Sequence, residues 1–253
     1  MQKLKRYALI KVFRPLELVG FGVVFSTILF LLFPKGKLEE LLFSEKIVNL
    51  DLRIKYLESL INIEKRPEYF VALAQNYARA GNYSEAYKYL RKLENIYPQE
   101  KERILKTKYF ILKAKFFSLK EESKKREIKK EIDKTLTLLA RKESSLKELE
   151  WIFKESVRMN VPEAVYIAMD KLLINKEEGR SKRKELIKTA VKIALWNNRY
   201  DLAKKIIRKH ILEFPEDQNY VKFMLKAALS TGDPEFASEM AQRVYERLRR
   251  GWL

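Results

Sequence analysis

The sequence has no cysteine, and among its 253 residues it has only one histidine, seven glycines and seven prolines. Without cysteine the chain can form no disulfide, catalytic thiol or thiolate metal site. A single histidine, His210, gives no histidine pair for a metal and leaves a serine–histidine–aspartate triad without support. We expect His210 to be a packed structural residue. The segment Gly179–Lys182 lacks the earlier glycine of a phosphate-binding loop. The sequence therefore predicts no catalytic residue, no metal site and no cofactor, and we expect that the protein is not an enzyme.

The small number of glycines and prolines is typical of helices joined by short turns. Hydrophobic residues make up 47% of the chain and charged residues 34%, which is enough apolar surface to bury a long, thin core. Fifty-three lysines and arginines against 34 aspartates and glutamates give a net charge of +19. Most of this excess lies beyond residue 34, where 48 basic residues face 33 acidic ones. The positive charge is therefore spread along the folded part of the chain.

A repeated helical pattern organises the chain, and it is clearest between Pro67 and Pro98. Apolar residues at helical spacing fill the segment up to Gly81, and a second run of the same kind ends before Pro98. Gly81 lies at the break, where a residue with positive φ is needed to turn between two helices. Each helix is apolar on one side only, so the pair must pack against neighbours to bury its faces.

The same spacing recurs in the C-terminal part of the chain. Pro98 follows Gly81 by 17 residues, and Pro215 follows Asn198 by 17 residues. Gly232 follows Asn198 by 34 residues, in register with the next turn. A helical hairpin with this period resembles the tetratricopeptide repeat (TPR). The resemblance implies an all-α fold, a TPR-like α-solenoid of helical hairpins at residues 50–253, with the clearest repeats at 67–98, 184–215 and 218–249.

Between these repeats the periodicity predicts further helices. Residues 122–142 leave one question open, because Ile128, Ile132, Leu136 and Leu139 form a narrow apolar stripe on a highly charged helix. The stripe either meets a partner helix or touches neighbouring helices of the same chain by one edge. Residues 175–183 predict a loop that breaks the count between repeats. The predicted helices lie at about 50–65, 68–80, 84–96, 101–118, 122–142, 145–159 and 162–174.

The N-terminal segment predicts a transmembrane helix. A basic tip at residues 1–15 precedes the apolar segment 16–34, whose length is at the short end for a membrane-spanning helix. A cleaved signal peptide and a buried soluble helix are the alternatives. The positive-inside rule places the tip in the cytoplasm, the anchor in the inner membrane of a bacterium and the repeats in the periplasm. Residues 35–49 predict a connector helix. Gly22 and Ser26 give a small-xxx-small pair through which two anchors could associate.

Candidate binding residues follow from the resemblance to the TPR family. In that family the fifth and ninth positions of the first helix line a concave face, and in this chain they are lysines in the last two repeats. We expect Lys188, Lys192, Lys222 and Lys226 to converge there, with Trp196 nearby. Such a cluster would attract a protein partner with acidic segments, or another anionic polymer. The alternative is a solvated lysine face without a partner.

A second resemblance covers the N-terminal part and the last repeats. Leu32–Pro34, Asp51–Leu57 and the Gly232–Glu235 turn resemble the N-terminal region of the export proteins of Pel-type exopolysaccharide systems. This resemblance implies a scaffold that recruits polysaccharide-processing or export proteins to the inner membrane. We therefore expect a membrane-anchored TPR scaffold for protein–protein interactions in envelope assembly or exopolysaccharide export. The alternative is a basic helical-repeat protein that binds nucleic acid or another anionic polymer, which would need cytoplasmic repeats and steeply salt-dependent binding.

Overall fold

The computed structural model describes residues 15–32, 49–143, 145–174 and 179–250, and all regular structure in these ranges is α-helical. The prediction of an all-α fold is therefore confirmed. The predicted basic tip and connector helix lie outside the described residues except for their last residues, Pro15 and Asn49. The helices are α1 (Pro15–Leu32), α2 (Leu50–Ile63), α3 (Pro67–Arg79), α4 (Tyr83–Ile96), α5 (Lys101–Ser118), α6 (Glu122–Lys142), α7 (Leu146–Arg158), α8 (Pro162–Ile174), α9 (Arg180–Trp196), α10 (Tyr200–His210), α11 (Gln218–Leu229) and α12 (Pro234–Arg250).

The chain divides into two compact units, residues 1–72 and 73–253, and the boundary lies within α3. In the first unit, α2 begins at a capped N-terminus, where the side chain of Asn49 accepts a hydrogen bond of 3.1 Å from the N–H of Leu52. This cap satisfies one of the free N–H groups at the start of the helix. Leu57 of α2 is fully buried. Helix α2 therefore has a defined start and one buried side.

Helix α1 is an unbroken helix of 18 residues, and every side chain described within it, at residues 19–28, is exposed. The exposed side chains include Val19, Phe21 and Phe25, and the two phenylalanine rings stack with their centres 6.1 Å apart. Among the helices of the described ranges, none is both long enough and apolar enough to cross a membrane. The anchor at residues 16–34 stays a prediction.

Four hairpins turn through a residue in the left-handed conformation. Gly81 and Gly232 have φ angles of +78° and +71°, and Asn160 and Asn198 both have a φ of +55°. In each hairpin the second helix begins two residues after this turn residue. The prediction that Asn198 takes the place of Gly81 is confirmed, and asparagine is among the few non-glycine residues that tolerate this conformation.

Backbone hydrogen bonds close these turns in the same way. In three of them the N–H of the residue after the turn residue donates to the carbonyl five residues earlier, at 2.9 Å each. This is the long bond of a Schellman motif, which satisfies a carbonyl group at the end of the first helix. The bonds join Asn82 to Tyr77, Val161 to Ser156 and Arg199 to Ala194. Very short turns are therefore enough to connect the two helices of each hairpin.

The second unit buries one continuous apolar cluster, which extends from Tyr109 on α5 to Val244 on α12. Successive hairpins contribute to it because α6 packs against α8, α8 against α9, and α9 against α11. The apolar stripe of α6 belongs to this cluster, and Ile132, Leu136 and Leu139 are fully buried. Since α6 contacts α5, α7 and α8, the stripe meets neighbouring helices of its own chain.

The predicted loop at residues 175–183 is wrong in its last part. Helix α9 begins at Arg180, so this helix starts four residues before the predicted repeat boundary at residue 184. Polar contacts hold the additional turn, because the guanidinium group of Arg183 donates to Leu173 O at 2.7 Å and to Glu213 Oε1 at 2.5 Å. Residues 180–185 are all charged or polar, so they carry no apolar periodicity that would reveal a helix.

Candidate partner-binding surfaces

Two of the predicted lysines lie over an aromatic ring. Lys188 and Lys192 are four residues apart on α9, and the Nζ atom of each lies 5.8 Å from the centre of the Phe223 ring on α11. The electron-rich face of a ring attracts an ammonium group by about 0.5–1 kcal/mol where solvent reaches the pair. These two lysines therefore help to hold α11 against α9.

The same arrangement occurs at two other places in the second unit. We call it a cation doublet: two basic residues, four positions apart on one helix, whose charged groups lie over a single phenylalanine ring later in the chain. Such basic residues are placed by packing, with their charged ends still near water. The additional doublets are Arg180 and Lys184 over Phe214, at 5.4 and 5.2 Å from the ring centre, and Lys204 and Arg208 over Phe236, at 5.8 and 5.2 Å.

The other two predicted lysines form a pair without a ring. Lys222 and Lys226 are exposed on α11, and neither takes part in an ion pair or ring contact within the described part of the chain. They border a groove of about 550 Å³, the end groove, whose lining includes Val221, Lys222, Leu225, Lys226, Leu229 and Leu248. Trp196, the last residue of α9, is 80% exposed and does not line this groove. The role of the five predicted residues in partner binding stays a prediction.

A larger site, which the sequence does not predict, is lined by α5 and α7 and reaches Gln75 on α3. We call it the aromatic cleft, and its volume is about 720 Å³. Tyr109, Phe110 and Trp151 give it an aromatic lining, in which Tyr109 and Trp151 meet edge to face at 5.7 Å with an angle of 82° between the rings. The first helices of three successive hairpins contribute to this site. It therefore belongs to the row of helices for which the TPR resemblance predicts binding.

A buried carboxylate organises one wall of the aromatic cleft. Glu155 is 6% exposed, and its Oε2 atom accepts hydrogen bonds of 2.5 Å from the Tyr109 hydroxyl and from Lys113 Nζ. Its Oε1 atom accepts a hydrogen bond of 2.6 Å from Arg158. Burial opposes ionisation of Glu155, but the hydrogen bonds from Lys113 and Tyr109 and the two nearby positive charges outweigh it, so the pKa of this carboxyl group is lowered. Burial, together with Glu155, raises the pKa of Tyr109, and the hydroxyl therefore remains a donor.

Two lysines at the edge of the aromatic cleft form no ion pair within the described ranges. Lys147 and Lys154 are exposed on α7, seven residues apart. Seven residues are about two helical turns, or ~10 Å along one side of the helix. Lys106 differs, because its Nζ atom lies 2.8 Å from a carboxylate oxygen of Glu148. Within the described ranges, the aromatic cleft therefore combines an aromatic surface with two lysines that form no ion pair, and the carboxylate of Glu150, which also lines the cleft, interacts with the charge of Lys154.

The sequence contains one signal of this site. Glu155 follows Ile152 by three residues and Leu149 by six, so an acidic residue lies on the apolar face of α7. Acidic residues are almost never buried unless they are paired, and such a position therefore points to a polar network. The aromatic residues give no separate signal, because Tyr109 and Trp151 fit the apolar periodicity of their helices equally well.

The single histidine lies in a packed polar cluster. His210 is buried, as expected, and its Nδ1 atom lies 2.7 Å from Glu213 Oε2. Burial opposes ionisation of Glu213, but hydrogen bonds from His210 and Arg183 outweigh it and lower the pKa of this carboxyl group. Across the described ranges, no group of three or more histidine, aspartate and glutamate residues is placed to hold a metal ion.

Comparison of the chain with protein-family models, with curated proteins and with solved structures gives no match.

Proposed function

We propose that the protein is a helical-repeat scaffold that binds a partner protein along the first helices of its hairpins. The observation that carries this proposal is the aromatic cleft, to which three successive first helices contribute. Aromatic residues with one polar end are enriched at protein interfaces. Tyr109 is fixed by Trp151 and by its hydrogen bond to Glu155, so the surface is formed before a partner arrives. A surface formed in advance loses less conformational entropy on binding.

The chemistry of the aromatic cleft specifies the partner segment. The aromatic lining suits an apolar or aromatic side chain, and Lys147 and Lys154 suit acidic residues beside it. An extended segment rises about 3.3 Å per residue and its side chains alternate between two faces, so acidic residues two or four positions apart, about 7 or 13 Å, could face the two lysines, which lie ~10 Å apart. The proposed partner segment is therefore short, acidic and built around one apolar anchor.

The proposal includes attachment of residues 16–34 to a bacterial inner membrane, with the repeats in the periplasm and a role in envelope assembly or exopolysaccharide export. Its support is the apolar sequence of this segment, the exposed apolar side chains of α1 and the resemblance to Pel-type export proteins. Alkaline extraction should leave the full chain with the membrane, and replacing Val23 and Val24 by aspartate should release it. A reporter fused to the C-terminus should be active in the periplasm. Activity in the cytoplasm alone would contradict this topology.

Photo-crosslinking in the native cells tests partner binding at the aromatic cleft. A benzophenone amino acid at Lys154 should give a discrete crosslinked protein, whereas the same amino acid at Lys130, an exposed residue of α6, should not. Lys147→Glu, which leaves the buried network in place, should reduce the product at Lys154 at least tenfold. The proposal fails if both positions give the same products, or if Lys147→Glu and Trp151→Ala both leave the product unchanged.

A second function, binding of nucleic acid or another anionic polymer, is favoured by one observation, the net charge of +19. The two functions differ in how binding depends on particular lysines. Replacing Lys147 and Lys154 by glutamine removes two charges, and a partner seated in the aromatic cleft would lose about tenfold in affinity or more. The matched control replaces Lys130 and Lys134, both exposed on α6, by glutamine. Equal losses in the two variants, with a steep dependence on salt, would favour polymer binding.

A further inference from the structure

The last two hairpins are related by a shift of 34 residues, so positions in the last hairpin have counterparts in the one before it. Several positions that are buried in the earlier hairpin are exposed in the last one. Ile211 and Phe214 are 0% and 4% exposed, whereas their counterparts Tyr245 and Leu248 are 66% and 42% exposed. Leu248 lines the end groove, so part of the surface that is covered in the earlier hairpin is left exposed there by the described residues.

Helix α11 covers this surface in the earlier hairpin. It packs against both α9 and α10. The ring of Tyr220 meets that of Phe214 edge to face at 5.1 Å, and the ring of Phe223 lies under Lys188 and Lys192. The occupant of this kind of surface is thus a helix that presents aromatic residues three positions apart.

The end groove repeats the basic residues as well as the apolar ones. Lys222 and Lys226 are the counterparts of Lys188 and Lys192, 34 residues later in the chain. Three cation doublets of the second unit each hold a phenylalanine, and this fourth pair lies over no described ring. Leu229, beside the pair, is 66% exposed. An exposed apolar surface bordered by charged residues is typical of a protein interaction site.

We propose that the end groove binds an amphipathic helix of a partner protein, and that this helix places an aromatic side chain between Lys222 and Lys226. Helix α11 shows the pattern that such a helix needs. Its aromatic Phe223 has apolar residues three positions before, one position after and four positions after it, and these are Tyr220, Met224 and Ala227.

The charge of the end groove indicates which residues the partner helix carries beside its aromatic residue. The two ammonium groups form no ion pair with any described residue, so they attract the face of an aromatic ring and also carboxylates beside that ring. A partner helix that carries acidic residues next to its aromatic residue is therefore preferred over a neutral helix. This surface is separate from the aromatic cleft, since the two sites share no lining residue.

A peptide with the sequence of α11 is the natural probe for this groove. Residues 216–231, acetylated, amidated and fluorescently labelled, are titrated with the full chain, and anisotropy reports binding. We expect saturable binding of one peptide per chain. Replacing the peptide's Phe223 by alanine should weaken binding about tenfold. In the protein, Leu229→Asp should weaken it at least tenfold, and replacing Lys222 and Lys226 together by glutamine about tenfold.

Two control variants test whether the loss of peptide affinity is specific to the end groove. Ile174→Asp places the same charge at another exposed apolar residue, at the end of α8, and should leave the affinity unchanged. Trp151→Ala should also leave it unchanged, because that residue lines the aromatic cleft. A negative result for helix binding at the end groove would therefore leave the proposed partner binding at the aromatic cleft untouched, because different variants test the two sites.

Several outcomes would overturn the inference. One is the absence of saturable binding, and another is binding that Leu229→Asp does not weaken. A dimer of the full chain in light scattering that Leu229→Asp abolishes would identify a second copy as the occupant. Binding that occurs only after residues 251–253 are removed would identify the end of the chain itself as the occupant.

Discussion

Replacing Glu155 by glutamine tests whether the buried network holds the aromatic cleft together. Glutamine keeps the shape of the side chain but turns one acceptor oxygen into an NH₂ donor. In the native protein one oxygen of Glu155 accepts from Tyr109 and Lys113, and the other accepts from Arg158. Either orientation of the amide therefore makes a donor face a donor, and at least one native hydrogen bond is lost.

The size of the effect follows from the burial of each partner. Tyr109 is buried, so we expect the amide oxygen to face it, and its hydrogen bond then weakens from about 1.5–3 kcal/mol, as for a bond to a charged group, to about 1 kcal/mol. Lys113 and Arg158 are partly exposed, so each loses an ion pair that contributes only about 0–1 kcal/mol. We expect Glu155→Gln to lower the free energy of unfolding by about 2 kcal/mol in total. For a unit of this size, that corresponds to a fall in Tm of about 4–8 °C.

The same network gives the penalty a definite pH dependence. The pKa of Glu155 is lowered in the folded protein from its ordinary value of 4.5. A lowered pKa means that ionised Glu155 contributes stability above the unfolded-state pKa, and that this contribution is lost as the pH falls through the folded-state pKa. The difference in unfolding free energy between the native protein and Glu155→Gln should therefore be full at neutral pH and shrink progressively below about pH 4.5.

Urea unfolding followed by circular dichroism, at neutral and at acidic pH, measures this difference. The matched control is Glu148→Gln, which removes a more exposed carboxylate of the same cleft, paired with Lys106 at 2.8 Å. We expect the control to cost less than about 1 kcal/mol. The reasoning would be refuted if the two variants lost equal stability at neutral pH, or if the penalty for Glu155→Gln stayed constant as the pH fell.

Two further predictions concern the turns and the core. Asn198→Gly should stabilise the protein by up to about 1 kcal/mol, because glycine adopts positive φ without strain and the hydrogen bond that it removes, from the Tyr200 hydroxyl, is exposed. Asn160→Gly should gain less, because it removes two part-buried hydrogen bonds to Asn197. Thermal unfolding of both variants measures the difference. Leu136→Ala should cost about 2–5 kcal/mol because this side chain is fully buried, whereas Leu229→Ala, at an exposed position, should stay within about 0.5 kcal/mol. Equal losses at the two leucines in urea unfolding would contradict the burial pattern.

The hairpin turns could be predicted from the sequence because their cause is local. A turn of this type needs one residue with positive φ between two amphipathic runs, and Gly81, Asn198 and Gly232 satisfy that requirement at fixed spacing. The first turn of α9 could not be predicted in this way. It is held by Arg183, whose partners are ten and 30 residues away in the chain.

The aromatic cleft could not be predicted because it depends on the distance between two helices. Helices α5 and α6 form a hairpin without a left-handed turn, so the 34-residue register that placed the lysines gives no position for Tyr109 or Trp151. Among the described residues that line the aromatic cleft, Glu155 is the one buried acidic residue, and its type disagrees with its position on the apolar face of α7. An acidic residue on the apolar face of a helix, Glu155, is therefore the signal in the sequence that points to the aromatic cleft.

The positions of the basic residues change what the net charge of +19 implies about partners. Six of these residues form the three cation doublets, each placed over a phenylalanine of the same chain. Their spacing is set by packing between helices, so an excess of lysine and arginine does not by itself indicate an anionic polymer as partner. The sequence pattern of Lys188 and Lys192 is the same as that of Lys222 and Lys226, yet only the first pair holds a ring. What a doublet holds depends on the part of the chain that follows it, and among the described residues no later helix places a ring beneath Lys222 and Lys226.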